Sequence, residues 1–441
     1  MIYQNKERFR KKEKTKMKAF QEMSKEELLA EKQSLEAAYR EYQTRGLSLN
    51  MARGKPSTAQ LDLSTPMLDV LNSDSDFISA DGDVRNYGVL AGITEAREFM
   101  AQIFECEKEE VVMGGSASLT MMYDMVSRSV THGVLGSTPW CKLDKVKFLC
   151  PVPGYDRHFA ITEHFGIEMV NIPMTTTGPD MDLVEQYVNN DPAVKGIWCV
   201  PKYSNPQGIT YSDETVKRFA ALTPAAEDFR IYWDNAYVEH HLYPDDQDQL
   251  LNILSECKKA GHENMVYMFA STSKMSLPGA GISAVATSKE NVESLLKSMT
   301  VQMISFDKVN QLRHVRYFKD LNGLREHMMK QADLLRPKFE MLLSLFNKEL
   351  KGLGAGSWNE PKGGYFITYE TLDGCAKRVI ELCKEAGMVM TGAGAPFPYK
   401  KDPKDNVIRI APSLPPMEEL EIAGALFVVC VKLATVEKLL G

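Results

Sequence analysis

The chain has 441 residues, 44% of them hydrophobic and 25% charged, an ordinary globular balance with room for more than one core. A net charge of −7 argues against nucleic acid as the main partner, and with no run of about 18 apolar residues no membrane span is expected. The eight cysteines form no Cys-x-x-Cys pair and no zinc spacing, so they read as reduced, mostly buried thiols of a cytoplasmic protein.

Residues 1–23 are rich in lysine and arginine and lack an apolar stretch, so they read as a basic, disordered tail and not as a secretory signal. Met17 is a candidate start, because patterned sequence begins just after it. Ser24 with Glu27 makes a capping box, and Leu28, Leu35 and Tyr39 form a helical stripe. Residues 24–60 are therefore expected to form a helix and a segment joining it to a small domain. Over 61–325 helical patterns at 92–105 and 117–131 alternate with apolar runs at 111–113, 146–151, 167–172, 195–200, 229–233 and 265–270. That alternation predicts an α/β domain whose mostly parallel sheet carries helices on both faces. Residues 326–441 read as a smaller α+β domain, with a helix at 326–351, a strand at 363–368, a helix at 372–387 and a strand at 407–411.

Polar residues follow the apolar runs, at the sheet edge where open α/β proteins bind ligands. Gly114-Gly115-Ser116-Ala117 opens a helix, and bare N–H groups at a helix start suit a phosphate. Pro153-Gly154-Tyr155 offers a flat ring, and Ser204-Asn205-Pro206-Gln207-Gly208 an amide. Asp234-Asn235-Ala236-Tyr237 puts a carboxylate at a depth where it needs a partner. Ser271-Thr272-Ser273-Lys274 places a lysine among hydroxyls before the turn Pro278-Gly279-Ala280-Gly281. His158, His240 and His241 have no metal-ligand spacing, and no metal is assigned.

A phosphate, a flat ring, a basic ring nitrogen, a phenolic oxygen and an aldehyde are what these groups would jointly accept, and pyridoxal 5′-phosphate (PLP) has all of them. In order, Tyr87-x-x-x-x-Gly92, Gly114-Gly115-Ser116, Pro153-x-Tyr155, Ser204 to Gly208, Asp234-x-Ala236-Tyr237, Ser271-x-Ser273-Lys274 and Ile408-Arg409-Ile410 resemble the class I PLP-dependent aminotransferases over roughly 25–440. The resemblance is closest to the divergent bacterial aspartate-aminotransferase-like branch, related to the aminotransferase portion of MocR-type regulators. It implies the type I PLP-dependent transferase fold, with a seven-stranded, mostly parallel sheet in the large domain. It implies a homodimer with shared active sites and a ping-pong exchange between an amino acid and a 2-oxo acid.

Residue by residue, the resemblance makes Lys274 the Schiff-base lysine and proton carrier, with Asp234 on the ring nitrogen. Asn205 and Tyr237 would bind the phenolic oxygen, and Tyr155 would stack on the ring. Gly115, Ser116, Ala117, Ser271 and Ser273 would hold the phosphate, joined by Tyr87 from the second subunit. Arg409 would clamp the substrate α-carboxylate, with Gly54 and Arg53 passing close by. Many relatives carry an arginine in a Pro-Gly-x-Arg pattern after the lysine, whereas this chain reads Pro278-Gly279-Ala280-Gly281. Ser273, Ser276 and the turn 279–281 are candidates to replace it. Aspartate and 2-oxoglutarate are the expected substrates, with Arg53, Lys55, Lys308 and Arg313 as candidates for the second carboxylate, the last two in a segment that in this fold approaches the partner's active site. A PLP-dependent lyase or decarboxylase, a preference for aromatic or neutral amino acids, and a non-catalytic regulatory module are the alternatives. The last would need a DNA-binding domain ahead of residue 25.

Overall fold

The computed structural model describes residues 18–441, so Met17 and most of the basic tail lie outside the described residues. Phe20 stands in the stretch expected to be tail, yet its ring is buried and its N–H donates to Leu353 O at 2.9 Å. Helix Lys25–Thr44 then starts on the expected capping box: Ser24 Oγ accepts from Glu27 N at 3.2 Å, and Ser24 N donates to Glu27 Oε2 at 2.6 Å. Its buried face is Leu28, Leu35 and Tyr39, and it packs on the C-terminal helix Met417–Leu440.

The main sheet contains β1 (Val111–Met113), β2 (Lys147–Val152), β3 (Glu168–Thr175), β4 (Gly178–Pro179), β5 (Val194–Cys199), β6 (Arg230–Asp234), β7 (Val266–Ser271) and β8 (Ser283–Ala286). Their order is β1-β8-β7-β6-β5-β2-β3-β4, eight strands where seven were implied. The additional one, β4, is a two-residue return antiparallel to the end of β3. Strands β3, β2, β5, β6 and β7 run parallel, while β8 is antiparallel to both β7 and β1. Strands β5, β6, β7 and β8 are buried at every position. Helices on both sides explain their burial on both faces. Strand β8, Ser-Ala-Val-Ala, escapes sequence reading because its small residues give neither alternation nor a β-branched run.

A second, antiparallel sheet joins Gly356–Trp358, Ile367–Thr371 and Val407–Ile410. The middle strand begins after Gly364, whose φ of +80° breaks the extended run expected from 363. The long helix is Leu321–Glu349, beginning ahead of the expected 326 because Asp320 caps it by accepting from Gly323 N at 2.9 Å. The following helix is Ala376–Glu385, shorter than 372–387 because Gly374 has φ +80°. A shared core joins these elements to the N-terminal helix through Leu335, Phe346, Tyr369, Phe427 and Val431. All eight cysteines are free thiols, six of them buried. No helix among the described residues is long and apolar enough to cross a membrane.

Candidate active site

The parallel strands send their carboxyl ends to one edge, where a cavity of about 450 Å³ opens between the main sheet and the smaller one. Ala117, Tyr155, Asn205, Asp234, Tyr237, Ser271, Ser273 and Lys274 line it from the main sheet's loops. Arg53, Gly54, Lys55, Phe366, Thr391 and Arg409 close the other side.

Lys274 follows β7 and is partly buried, with its ammonium 4.8 Å from the centre of the Tyr237 ring. Burial lowers its pKa from the usual lysine range, against the opposing attraction of Asp234. Tyr237 is buried and its phenol is pushed well above the usual value, so it stays a neutral hydrogen-bond donor. Burial, followed by the charge of Asp234, pushes Tyr155 up to about 12.

Asp234 ends β6 and is 3% exposed. Its Oδ2 accepts from His158 Nε2 at 3.0 Å, while its Oδ1 has no hydrogen-bond partner among the described residues. An unpaired carboxylate oxygen at that depth is strongly disfavoured, so it is free to accept a hydrogen bond from a ligand. His158, which metal spacing alone left without a role, is the partner that Asp234 needed. It lies in helix Asp156–His164 and stacks on Trp198 with ring centres 4.6 Å apart. Only the pairing of a helix position with a distant strand end reveals it, and no local motif carries that.

Arg409, 8% exposed, sits over the Phe366 ring at 5.0 Å. Its Nη1 donates to Asp156 Oδ1 at 3.0 Å and to Asn205 Oδ1 at 3.2 Å, and its Nη2 donates to Thr391 Oγ1 at 3.3 Å. The Asn205 oxygen is thus committed to Arg409, leaving its amide nitrogen for a ligand. Gly54 passes so close to Phe366 that a Cβ would lie 2.6 Å from the ring, which accounts for glycine there. Arg157, absent from the sequence-based candidates, also lines the cavity.

Several expected residues lie elsewhere. Gly115 and Ser116 are outside the cavity lining, although Ser273 Oγ donates to Ser116 O at 3.0 Å and ties that loop to the lysine loop. Tyr87 is 76% exposed and also outside. Lys308 and Arg313 do not line the cavity: Lys308 is buried, and Arg313 donates to Asn310 Oδ1. Ser276 turns away as well, its hydroxyl 3.0 Å from His314 Nε2. His240 and His241 lie outside, and burial draws both down to about 3, leaving them neutral.

The turn that replaces Pro-Gly-x-Arg is held from behind. Asn310 Nδ2 donates to Ala280 O at 3.0 Å and Gly281 O at 2.9 Å. On the same helix, Lys308–Phe318, His314 Nδ1 donates to Asn310 O at 2.8 Å, so Nε2 is the acceptor nitrogen, with the Thr272 hydroxyl 3.1 Å and the Ser276 hydroxyl 3.0 Å away. His327 Nε2 donates to Met275 O at 2.9 Å. Two uncharged histidines thus anchor the segment carrying Lys274.

Burial lowers His314 from 6.5 to about 4. A depressed histidine stabilises the fold fully above its unfolded pKa, and this contribution disappears as pH falls from about 6.5 through about 4. The His314 contribution is on the order of 3 kcal/mol. We expect the thermal midpoint to drop across that window, and the drop to be smaller in His314→Asn, which cannot titrate. An equal drop in both proteins would assign the acid sensitivity to other groups.

The crossover order of the main sheet, with a lysine loop after a central strand and an arginine opposite, defines the fold of the PLP-dependent type I transferases. Among solved structures, a crystal structure of an aspartate transaminase from Corynebacterium glutamicum is 44% identical, with TM-score 0.92 over 95% of this chain and 99% of that one. A multiple substrate aminotransferase from Thermococcus profundus, 19% identical with TM-score 0.70, covers 88% of this chain and 92% of that one and shares the fold. The aspartate aminotransferase of C. glutamicum is 45% identical over 407 residues, 92% of this chain and 94% of its own length. The family model for aspartate amino-transferase matches residues 23–441. The chain belongs to that family and is an aminotransferase.

Proposed function

We propose that this aminotransferase uses PLP to exchange the amino group of aspartate with 2-oxoglutarate. The observation that carries the substrate class is the charge of the cavity. Arg53, Lys55, Arg157, Lys274 and Arg409 face only Asp156 and Asp234, in a chain whose net charge is −7. Such a wall favours a ligand with two carboxylates beside a phosphate. Arg409 is the clamp for the α-carboxylate, since a planar fork matches that group. Arg53, Lys55 and Arg157, exposed and without an ion pair among the described residues, are the candidates for the second one.

The unpaired Oδ1 of Asp234 is what fits the cofactor's ring nitrogen. Tyr155 would cover the ring, Tyr237 and the Asn205 amide would donate to its phenolic oxygen, and Ala117, Ser271 and Ser273 would meet the phosphate with Gly115 and Ser116. When bound, PLP supplies an electron sink for negative charge at the substrate Cα. Lys274, with its lowered pKa, takes the proton from Cα and carries it on the same face of the site. Asp234, fixed by His158, keeps the ring nitrogen protonated. Arg409 and Asn205 fix the substrate so that Cα–H points to Lys274.

The site is proposed to be completed by a second copy of the chain. Tyr87 is a large aromatic left 76% exposed, and Val301 and Ile304 are exposed apolar residues. Tyr87 suits a phosphate contact across that dimer.

A substrate panel tests the reading. Aspartate is expected to exceed alanine and phenylalanine in kcat/KM on the order of a hundredfold. Turnover restricted to aromatic or small neutral amino acids would sink the dicarboxylate assignment, and release of ammonia and pyruvate from an amino acid with a β leaving group, such as serine or cysteine, would favour a lyase.

A further inference from the structure

Asp156 opens helix Asp156–His164, where the first-turn N–H groups favour a negative charge. Its Oδ1 accepts from Arg409 Nη1 at 3.0 Å. The other hydrogen-bond partners of that guanidinium, Asn205 and Thr391, are neutral. The two members of the ion pair differ in exposure: the Arg409 side chain is 8% accessible and the Asp156 side chain 35%. A guanidinium buried to that degree is strongly disfavoured without an anion, and in the free enzyme Asp156 is the anion. The carboxylate of a substrate held by Arg409 would meet the same guanidinium. Two carboxylates there repel each other, and the one with access to water is the one that can leave.

We propose that Asp156 is the resident anion of the substrate clamp, displaced when an α-carboxylate binds Arg409. It sets an affinity threshold, because it weakens every carboxylate ligand by the same factor. A ligand with one carboxylate then falls short, and only one with a second carboxylate for Arg53, Lys55 or Arg157 binds in the working range. The proposal rests on the reading of Arg409 as the α-carboxylate clamp.

The test uses the PLP-loaded enzyme and two unreactive acids, succinate with two carboxylates and propionate with one. Asp156→Asn keeps an acceptor for Arg409 and removes the charge. Its affinity for both acids, measured by calorimetry, is expected to rise by a similar factor, roughly tenfold. Its thermal midpoint without ligand is expected to fall, and the deficit to close as succinate is added, because a ligand that binds only the folded state restores the missing anion. Asp156→Ser, whose hydroxyl suits a helix start, is expected to shift both affinities in the same direction and serves if the asparagine variant does not fold. Unchanged or weaker binding in the variants would show that Asp156 merely orients Arg409. A gain confined to succinate would place Asp156 at the distal carboxylate, and either result overturns the proposal alone. If Arg409→Ala binds both acids as well as the natural protein does, the clamp reading fails and takes this proposal with it.

Discussion

Lys274→Ala is expected to abolish transamination, with kcat/KM for aspartate falling by roughly 10,000-fold. The cavity offers no replacement. Arg53, Arg157 and Arg409 are guanidinium cations that do not give up a proton at neutral pH, and Tyr237 is held as a neutral phenol by burial. Lys55 is exposed at the opposite wall. The chemistry of attachment gives a second readout. Borohydride treatment of the natural protein is expected to fix the mass of the cofactor on the peptide containing Lys274, and to fix none in the variant. Label on another lysine, or activity retained by the variant, would overturn the assignment.

Asp234→Ala is the other large effect, a fall of roughly a thousandfold. The Asp234 carboxylate has one oxygen held by His158 and the other unpaired among the described residues, so both its position and its vacant acceptor point to a cationic N–H. On the proposed reading its removal leaves nothing to keep a ring nitrogen protonated, and the His158 ring loses its acceptor. His158→Phe preserves the ring stacked on Trp198 and deletes one charge-assisted hydrogen bond, so its expected loss is smaller, roughly tenfold. Rates measured for both variants at saturating PLP separate weaker cofactor binding from weaker chemistry. A larger loss for His158→Phe than for Asp234→Ala would mean that His158 acts directly and not only through Asp234.

Most strands of the main sheet, though not β4 and β8, were legible because each is a short apolar run followed by polar residues. Asp234 and Lys274 stand out for the same reason: a charged group directly after a buried strand is anomalous unless it serves a ligand. What the sequence hid was set by distance along the chain. Asp156 meets Arg409 across 253 positions, and His158 meets Asp234 across 76. Neither pair leaves a periodic trace. Charge alone does not say which helix face is turned inward: Lys308 and Arg313 lie outside the cavity of their own chain, and Lys308 is buried. Ser276 is ambiguous in the same way, since a hydroxyl beside a lysine serves a phosphate or a histidine equally well, and here it lies against His314.

The packing of helix Lys25–Thr44 on helix Met417–Leu440 joins two segments that lie far apart along the chain. Leu28, Leu35 and Tyr39 are fully buried only once both segments are in place, and the same core takes in Ile408 and Ile410 on either side of Arg409. Contacts of such long sequence separation are slow to form, so the lobe that carries Arg409 is expected to close later than one built from neighbouring segments.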